Sequence, residues 1–76
     1  MKIQVLGPGC PKCRQLAANV EQAVRELGLA AEVEKVTDIR EIMKFGLLTT
    51  PGLAVEGELK SYGKVLSVEE IKRILA

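Results

Sequence analysis

The segment from Lys2 to Val36 constrains this chain most, because it switches between the two hydrophobic periods that distinguish strands from helices. "KIQVL" (Lys2 to Leu6) is short and apolar and stops at Gly7-Pro8-Gly9, as a strand entering a tight loop does. From Pro11 to Leu27 the residues Leu16, Val20, Ala23, Val24 and Leu27 recur at helical spacing, while Arg14, Gln15, Asn19, Glu21, Gln22, Arg25 and Glu26 fall off that stripe. Gly28 is the usual C-terminal stop. "AEVEKV" (Ala31 to Val36) alternates charged with small or branched residues, the pattern of a half-solvated strand at a sheet edge. Strand, helix and strand within about 35 residues form a βαβ unit, whose crossover is right-handed and whose strands are parallel.

The rest of the chain must complete that unit. Asp38 followed by Glu41 has the spacing of a capping box and predicts a second, short helix ending near Phe45 and Gly46. "PGLAVEGELKSYG" predicts two strands, Leu53 to Glu56 and Glu58 to Tyr62, with Gly57 in the turn; the first is apolar and therefore the more central. Tyr62 is expected to pack on the sheet from an edge strand. Ser67 and Glu70 form a second capping box, opening a terminal helix with Val68, Ile71, Ile74 and Leu75 on one face. The predicted order is β-α-β-α-β-β-α, an α/β fold in which a four-stranded mixed sheet carries helices on both faces. A chain of 76 residues builds one core, so residues 1–76 read as a single domain.

Composition excludes several classes of function. Eleven basic residues against ten acidic ones leave a net charge of +1, no basis for a grip on nucleic acid or an anionic membrane. One Phe, one Tyr and no Trp do not make stacking platforms for single strands. No apolar run approaches the roughly 20 residues of a membrane span or forms a signal peptide's core, so a cytoplasmic location is the default expectation.

Both cysteines of the chain, Cys10 and Cys13, lie in "GPGCPKC", where the first strand gives way to the first helix. As a structural staple, a four-residue loop is worth only roughly 2 kcal/mol in the chain-entropy model. Structural zinc takes about four Cys or His ligands, whereas two Cys and no His are present, so zinc would require a second subunit. Paired cysteines beside a βαβ pattern instead read as a redox dithiol. Cys10 stands at the helix start, where free N–H groups and the positive dipole end favour a thiolate. Cys13 precedes Leu16 by three residues and Val20 by seven, on the buried stripe. Cys10 is thus expected to attack and Cys13 to resolve. Pro11 restricts the backbone between them at a first-turn position, and Lys12 and Arg14 supply positive charge that opposes the helix dipole but suits a thiolate. A drop in the pKa of Cys10 from about 8.5 to about 6.5 raises its thiolate fraction at pH 7 from about 3% to about 75%. Nucleophilicity falls meanwhile, so the net gain in attack is about threefold.

"LLTTPGL" supplies a second element, a Thr50-Pro51 bond at the entrance to the central strand. CxxC after the first strand, Thr-Pro before the third and a C-terminal helix together resemble the thioredoxin superfamily, most closely the small glutaredoxin-like thioredoxins, or redox-active disulfide proteins, of archaea and bacteria. The similarity covers essentially the whole chain. It implies a sheet ordered second, first, third, fourth strand, and a cis Pro51 beside the active disulfide. It also implies that Thr50 offers backbone hydrogen bonds to an extended substrate, so that Thr50 and Pro51 are substrate-binding. It further implies a monomeric thiol–disulfide oxidoreductase with no cofactor beyond the Cys10–Cys13 disulfide, acting on protein disulfides and regenerated by a thioredoxin-reductase-like flavoenzyme.

The chain departs from that family's larger members at Gly9, where thioredoxins proper carry Trp, and in "KIQVL", which has no acid to accept a proton. Gly63 followed by Lys64 replaces the Gly pair and acid with which glutaredoxins bind glutathione, so protein dithiol exchange is favoured over glutathione use. Two further readings stand. A copper(I)-binding domain also places CxxC after its first strand, and soft thiolates suit Cu(I), but it ends in a strand and usually has Met where this chain has Pro8. A non-catalytic interaction module would use Gly7, Pro8, Leu47 and Leu48 as an apolar rim.

Overall fold

The computed structural model describes residues 1–46 and 49–76 and orders them as β1 (Lys2–Leu6), α1 (Pro11–Leu27), β2 (Glu32–Val36), α2 (Ile39–Met43), β3 (Gly52–Val55), β4 (Glu58–Tyr62) and α3 (Val68–Leu75). These strands form one sheet ordered β2-β1-β3-β4, the order expected. β1 runs parallel to β2, pairing Lys2 with Glu32 through Leu6 with Val36. It runs antiparallel to β3, pairing Ile3 with Val55 through Leu6 with Gly52. β3 pairs antiparallel with β4, with a register shift between Leu53 and Ala54.

The strand alternation divides the core between the two faces of this sheet. Ile3, Val5, Leu53 and Val55 point to one face and pack with Leu16, Ala17, Val20 and Ala23 of α1 and Ile71 and Leu75 of α3. Leu6 and Ala54 point to the other, under Ile42 of α2, with Val36, Phe45 and Leu59 at the margin. β3 is buried along its whole length, as its apolar sequence predicts for a central strand.

Local signals account for where the elements end. α1 closes on Gly28 at φ 65, with Gly28 N–H donating to Arg25 O and Leu29 N–H to Val24 O, the paired bonds of a Schellman motif. α3 opens with both bonds of its capping box, Glu70 N–H to Ser67 Oγ at 3.2 Å and Ser67 N–H to Glu70 Oε1 at 3.0 Å. The box expected at α2 is only half formed. Asp38 Oδ1 accepts from Arg40 N–H, but Glu41 is drawn instead to Lys44 Nζ at 3.0 Å. That helix stops at Met43, before Phe45. The third strand ends at Val55 rather than Glu56, because Glu56 (φ 54) and Gly57 (φ 80) are the two positive-φ residues of the hairpin turn. Tyr62 lies on the edge strand as expected but is 63% exposed, since its partner in β3 is Gly52, which has no side chain to pack against.

Candidate active site

Cys10 and Cys13 form a disulfide at the junction of β1 and α1, with Cα atoms 5.0 Å apart. The junction is built from the sequence upward. Gly7 ends β1 with its N–H on Val36 O at 2.9 Å, tying the loop to β2. Gly9 turns the chain at φ 93, and Pro11 occupies the first helical turn, where its missing N–H leaves no bond unmade. Cys10 is the N-cap of α1, and its Sγ accepts a hydrogen bond from Cys13 N–H at 3.2 Å. The first turn of α1 contains no acidic residue.

The two sulfurs occupy different surroundings. Cys13 is 4% exposed and belongs to the buried face of α1, whereas Cys10 is half-buried at the helix tip. Pro11 and Lys12, between them, are exposed. The Thr50–Pro51 peptide is cis. Pro51 is fully buried and its carbonyl accepts from Gly63 N–H at 2.8 Å, which anchors the segment to the end of β4. Thr50 beside it is half-buried.

Gly7 is what joins these pieces. Continued by one residue, the β1–β3 register sets Gly7 opposite Pro51, and strand parity with Ile3 and Val5 turns position 7 toward α1. A Cβ added there would run into Cys13 Sγ, while lying 3.0 Å from Cys13 Cβ and 3.9 Å from Pro51 Cα. Glycine at this position is therefore what leaves room for the Cys13 sulfur, at a point that Pro51 also approaches. The signal was present in the sequence as the alternation Ile3, Val5, Gly7, but its meaning depends on β3 lying alongside. Gly7 is buried and so does not contribute to an apolar rim; Leu47 and Leu48 of that rim lie outside the described residues.

A small cavity of about 30 Å³ adjoins Cys13, lined by Val5, Gly7, Ala17, Arg14, Lys35 and Thr37 among others. Lys35 reaches it because it is the register partner of Val5 and shares its face. Sequence reasoning marked Arg14 but not Lys35 or Thr37, which join the site only through the parallel pairing of β2. Among the described residues no group of three His, Cys, Asp or Glu side chains is placed to hold a metal ion, and no helix is long and apolar enough to cross a membrane.

Comparison with known proteins agrees with this geometry. A family model for the thioredoxin domain matches residues 1–76. A thioredoxin of Methanothermobacter thermautotrophicus is 53% identical over 76 residues, covering 100% of this chain and 99% of its own. A thioredoxin of Methanocaldococcus jannaschii is 49% identical over 73 residues, 96% of this chain and 84% of its own. A probable thioredoxin of Methanothermobacter marburgensis is 31% identical over 67 residues, 83% of this chain and 79% of its own.

Proposed function

The chain belongs to the thioredoxin family and is a thiol–disulfide oxidoreductase, and from that premise we propose that Cys10 is its attacking sulfur and Cys13 the sulfur that resolves the mixed disulfide. The copper(I)-binding reading is not favoured, since the chain ends in helix α3 and matches a thioredoxin domain throughout.

The observation that carries the assignment of roles is the difference in exposure, Cys13 at 4% against a half-buried Cys10. An incoming disulfide reaches Cys10 first. In the reduced protein the Cys10 thiolate attacks one substrate sulfur; a bond forms between Cys10 and that sulfur, the substrate disulfide breaks, and the departing thiolate takes a proton from water. Cys13, having released its own proton, then attacks Cys10. The mixed disulfide breaks, the second substrate thiol leaves, and two electrons have passed from the protein to the substrate. The Cys13 N–H that donates to Cys10 Sγ, and the free N–H groups of the α1 N-terminus, stabilise the Cys10 thiolate that begins this exchange. Pro11 shapes that turn, and Lys12 adds positive charge without an ion-pair partner among the described residues.

Thr50 and Pro51 form the wall on which an extended substrate segment lies. The substrates are protein disulfides, and a thioredoxin-reductase-like flavoenzyme returns the electrons to a monomeric, cytoplasmic protein that carries no cofactor other than its own disulfide. Trapping tests the assignment. Cys13→Ser should accumulate a mixed disulfide with an oxidised protein substrate, and Cys10→Ser should not. Accumulation with Cys10→Ser alone would reverse the roles.

A further inference from the structure

We propose that Lys12, Arg14 and Lys35 form a cationic rim that selects protein disulfides flanked by carboxylates. The proposal rests on the oxidoreductase reading and adds a substrate preference to it. Arg14 and Lys35 line the same cavity as Cys13, and Lys12 lies between the two cysteines in the first turn of α1, so three positive groups from two elements belong to the neighbourhood of the disulfide. All three are exposed.

Nothing described within the chain uses these charges. The ion pairs among the described residues engage the N-terminus, Lys2, Arg40, Lys44, Lys60 and Lys72, and none involves Lys12, Arg14 or Lys35. Among the described residues no acidic side chain lines the cavity, and the first turn of α1 has none. Asp38, which follows the cavity residue Thr37, is already committed: it caps α2 through Arg40 N–H and lies 3.6 Å from Arg40 Nε. Lys12 and Arg14 also oppose the dipole of α1, a local cost to the helix. A carboxylate brought by a partner supplies the missing counter-charge.

The near-zero net charge of +1 makes the effect local. The molecule as a whole does not steer an anion, so discrimination by charge must arise at the rim, within about one Debye length of the sulfur. There it acts on the encounter with substrate and on the register in which the substrate lies.

The test uses three synthetic peptides with the same disulfide, flanked by Glu, Ser or Lys, each mixed with the reduced full-length protein. The chemistry is balanced in each case: the protein dithiol becomes a disulfide and the peptide disulfide becomes two thiols. Second-order rates are read by acid quench and mass analysis. The Glu peptide should react about tenfold faster than the Lys peptide at about 20 mM salt, and the ratio should shrink severalfold at about 0.5 M. Lys35→Glu and Arg14→Glu should each lower the ratio about two- to threefold, a comparison in which the intrinsic reactivities of the peptides cancel. Equal rates at low salt, or a ratio untouched by both charge reversals, overturn the rim while leaving the oxidoreductase in place. Failure to reduce any of the three peptides overturns the oxidoreductase reading itself, and the rim with it.

Discussion

Substituting Gly7 by Ala isolates the contact on which the site's geometry depends. Gly7 is not among the positive-φ glycines, so the backbone accepts alanine without strain, and the consequence is steric. The new Cβ meets Cys13 Sγ and sits 3.0 Å from Cys13 Cβ. Overpacking of this kind costs about 1–3 kcal/mol. The cost falls unequally on the two redox states. In the disulfide, Cys13 Sγ is tethered to Cys10, the N-cap of α1. In the dithiol, the Cys13 side chain is free to rotate away from position 7. Gly7→Ala should therefore destabilise the oxidised form more than the reduced one and make the protein a stronger oxidant. At about 1.4 kcal/mol per 30 mV, the reduction potential should rise by about 20–60 mV. Equilibration against dithiothreitol buffers, with the oxidised fraction read by alkylation and mass analysis, measures this directly. Melting curves of both forms should show the larger loss in the oxidised protein. Gly9→Ala is the control: position 9 has φ 93 and nothing within 4 Å of an added Cβ, so alanine there costs about 1 kcal/mol of backbone strain in both forms alike. A Gly7→Ala protein with an unchanged potential and an unchanged oxidised melting curve would refute the contact.

Removing the α3 cap by Ser67→Ala should cost about 1 kcal/mol in a denaturant titration, with the slope unchanged, because it leaves Glu70 N–H without its partner. The same cap predicts a pH dependence. The Ser67 backbone N–H, then its hydroxyl, holds the Glu70 carboxyl below its ordinary value of 4.5, so on acidification the unfolded chain takes up this proton before the folded one does. Stability contributed by Glu70 is present at neutral pH and is lost as pH falls through and below 4.5; Glu70→Gln should flatten the acid limb of the stability profile, and an identical limb would count against this account. The Glu26–Lys72 contact at 2.9 Å ties α1 to α3 and lowers the Glu26 carboxyl in the same sense. Lys72→Met should therefore weaken the acid dependence of stability, and an unchanged acid limb would count against the pair. Alkylation of the reduced protein with limiting iodoacetamide near neutral pH should label Cys10 well before Cys13; equal labelling would remove the asymmetry on which the assignment of roles depends.

Much of this protein was legible in its sequence because the relevant signals are local. Helix α1, with Cys10 at its tip and Cys13 on its buried stripe, follows from a 3.6-residue period and a Pro at its start. So do the Gly28 stop and the Ser67–Glu70 box, each decided by residues within one turn. The order of strands followed from resemblance and from the apolar character of β3. Where the local reading missed, a competing partner decided the outcome: Lys44, three residues further along, took Glu41 from the α2 cap, and Gly52, across the hairpin register, left Tyr62 without a surface to cover.

Only the tertiary structure decided what the cysteines touch. Position 7 is one glycine among several until β1, β3 and α1 converge, and then its missing side chain becomes the space that Cys13 Sγ occupies. Lys35 is one more charged residue in an alternating strand until the parallel register sets it beside Val5, at the cavity that adjoins Cys13. The sequence alone determined where the two cysteines lie, four residues of chain holding both at the start of one helix, since spacing and helix position are properties of a continuous segment. Their shared environment arose when separate segments were brought within van der Waals distance, a relation that no stretch of chain encodes by itself.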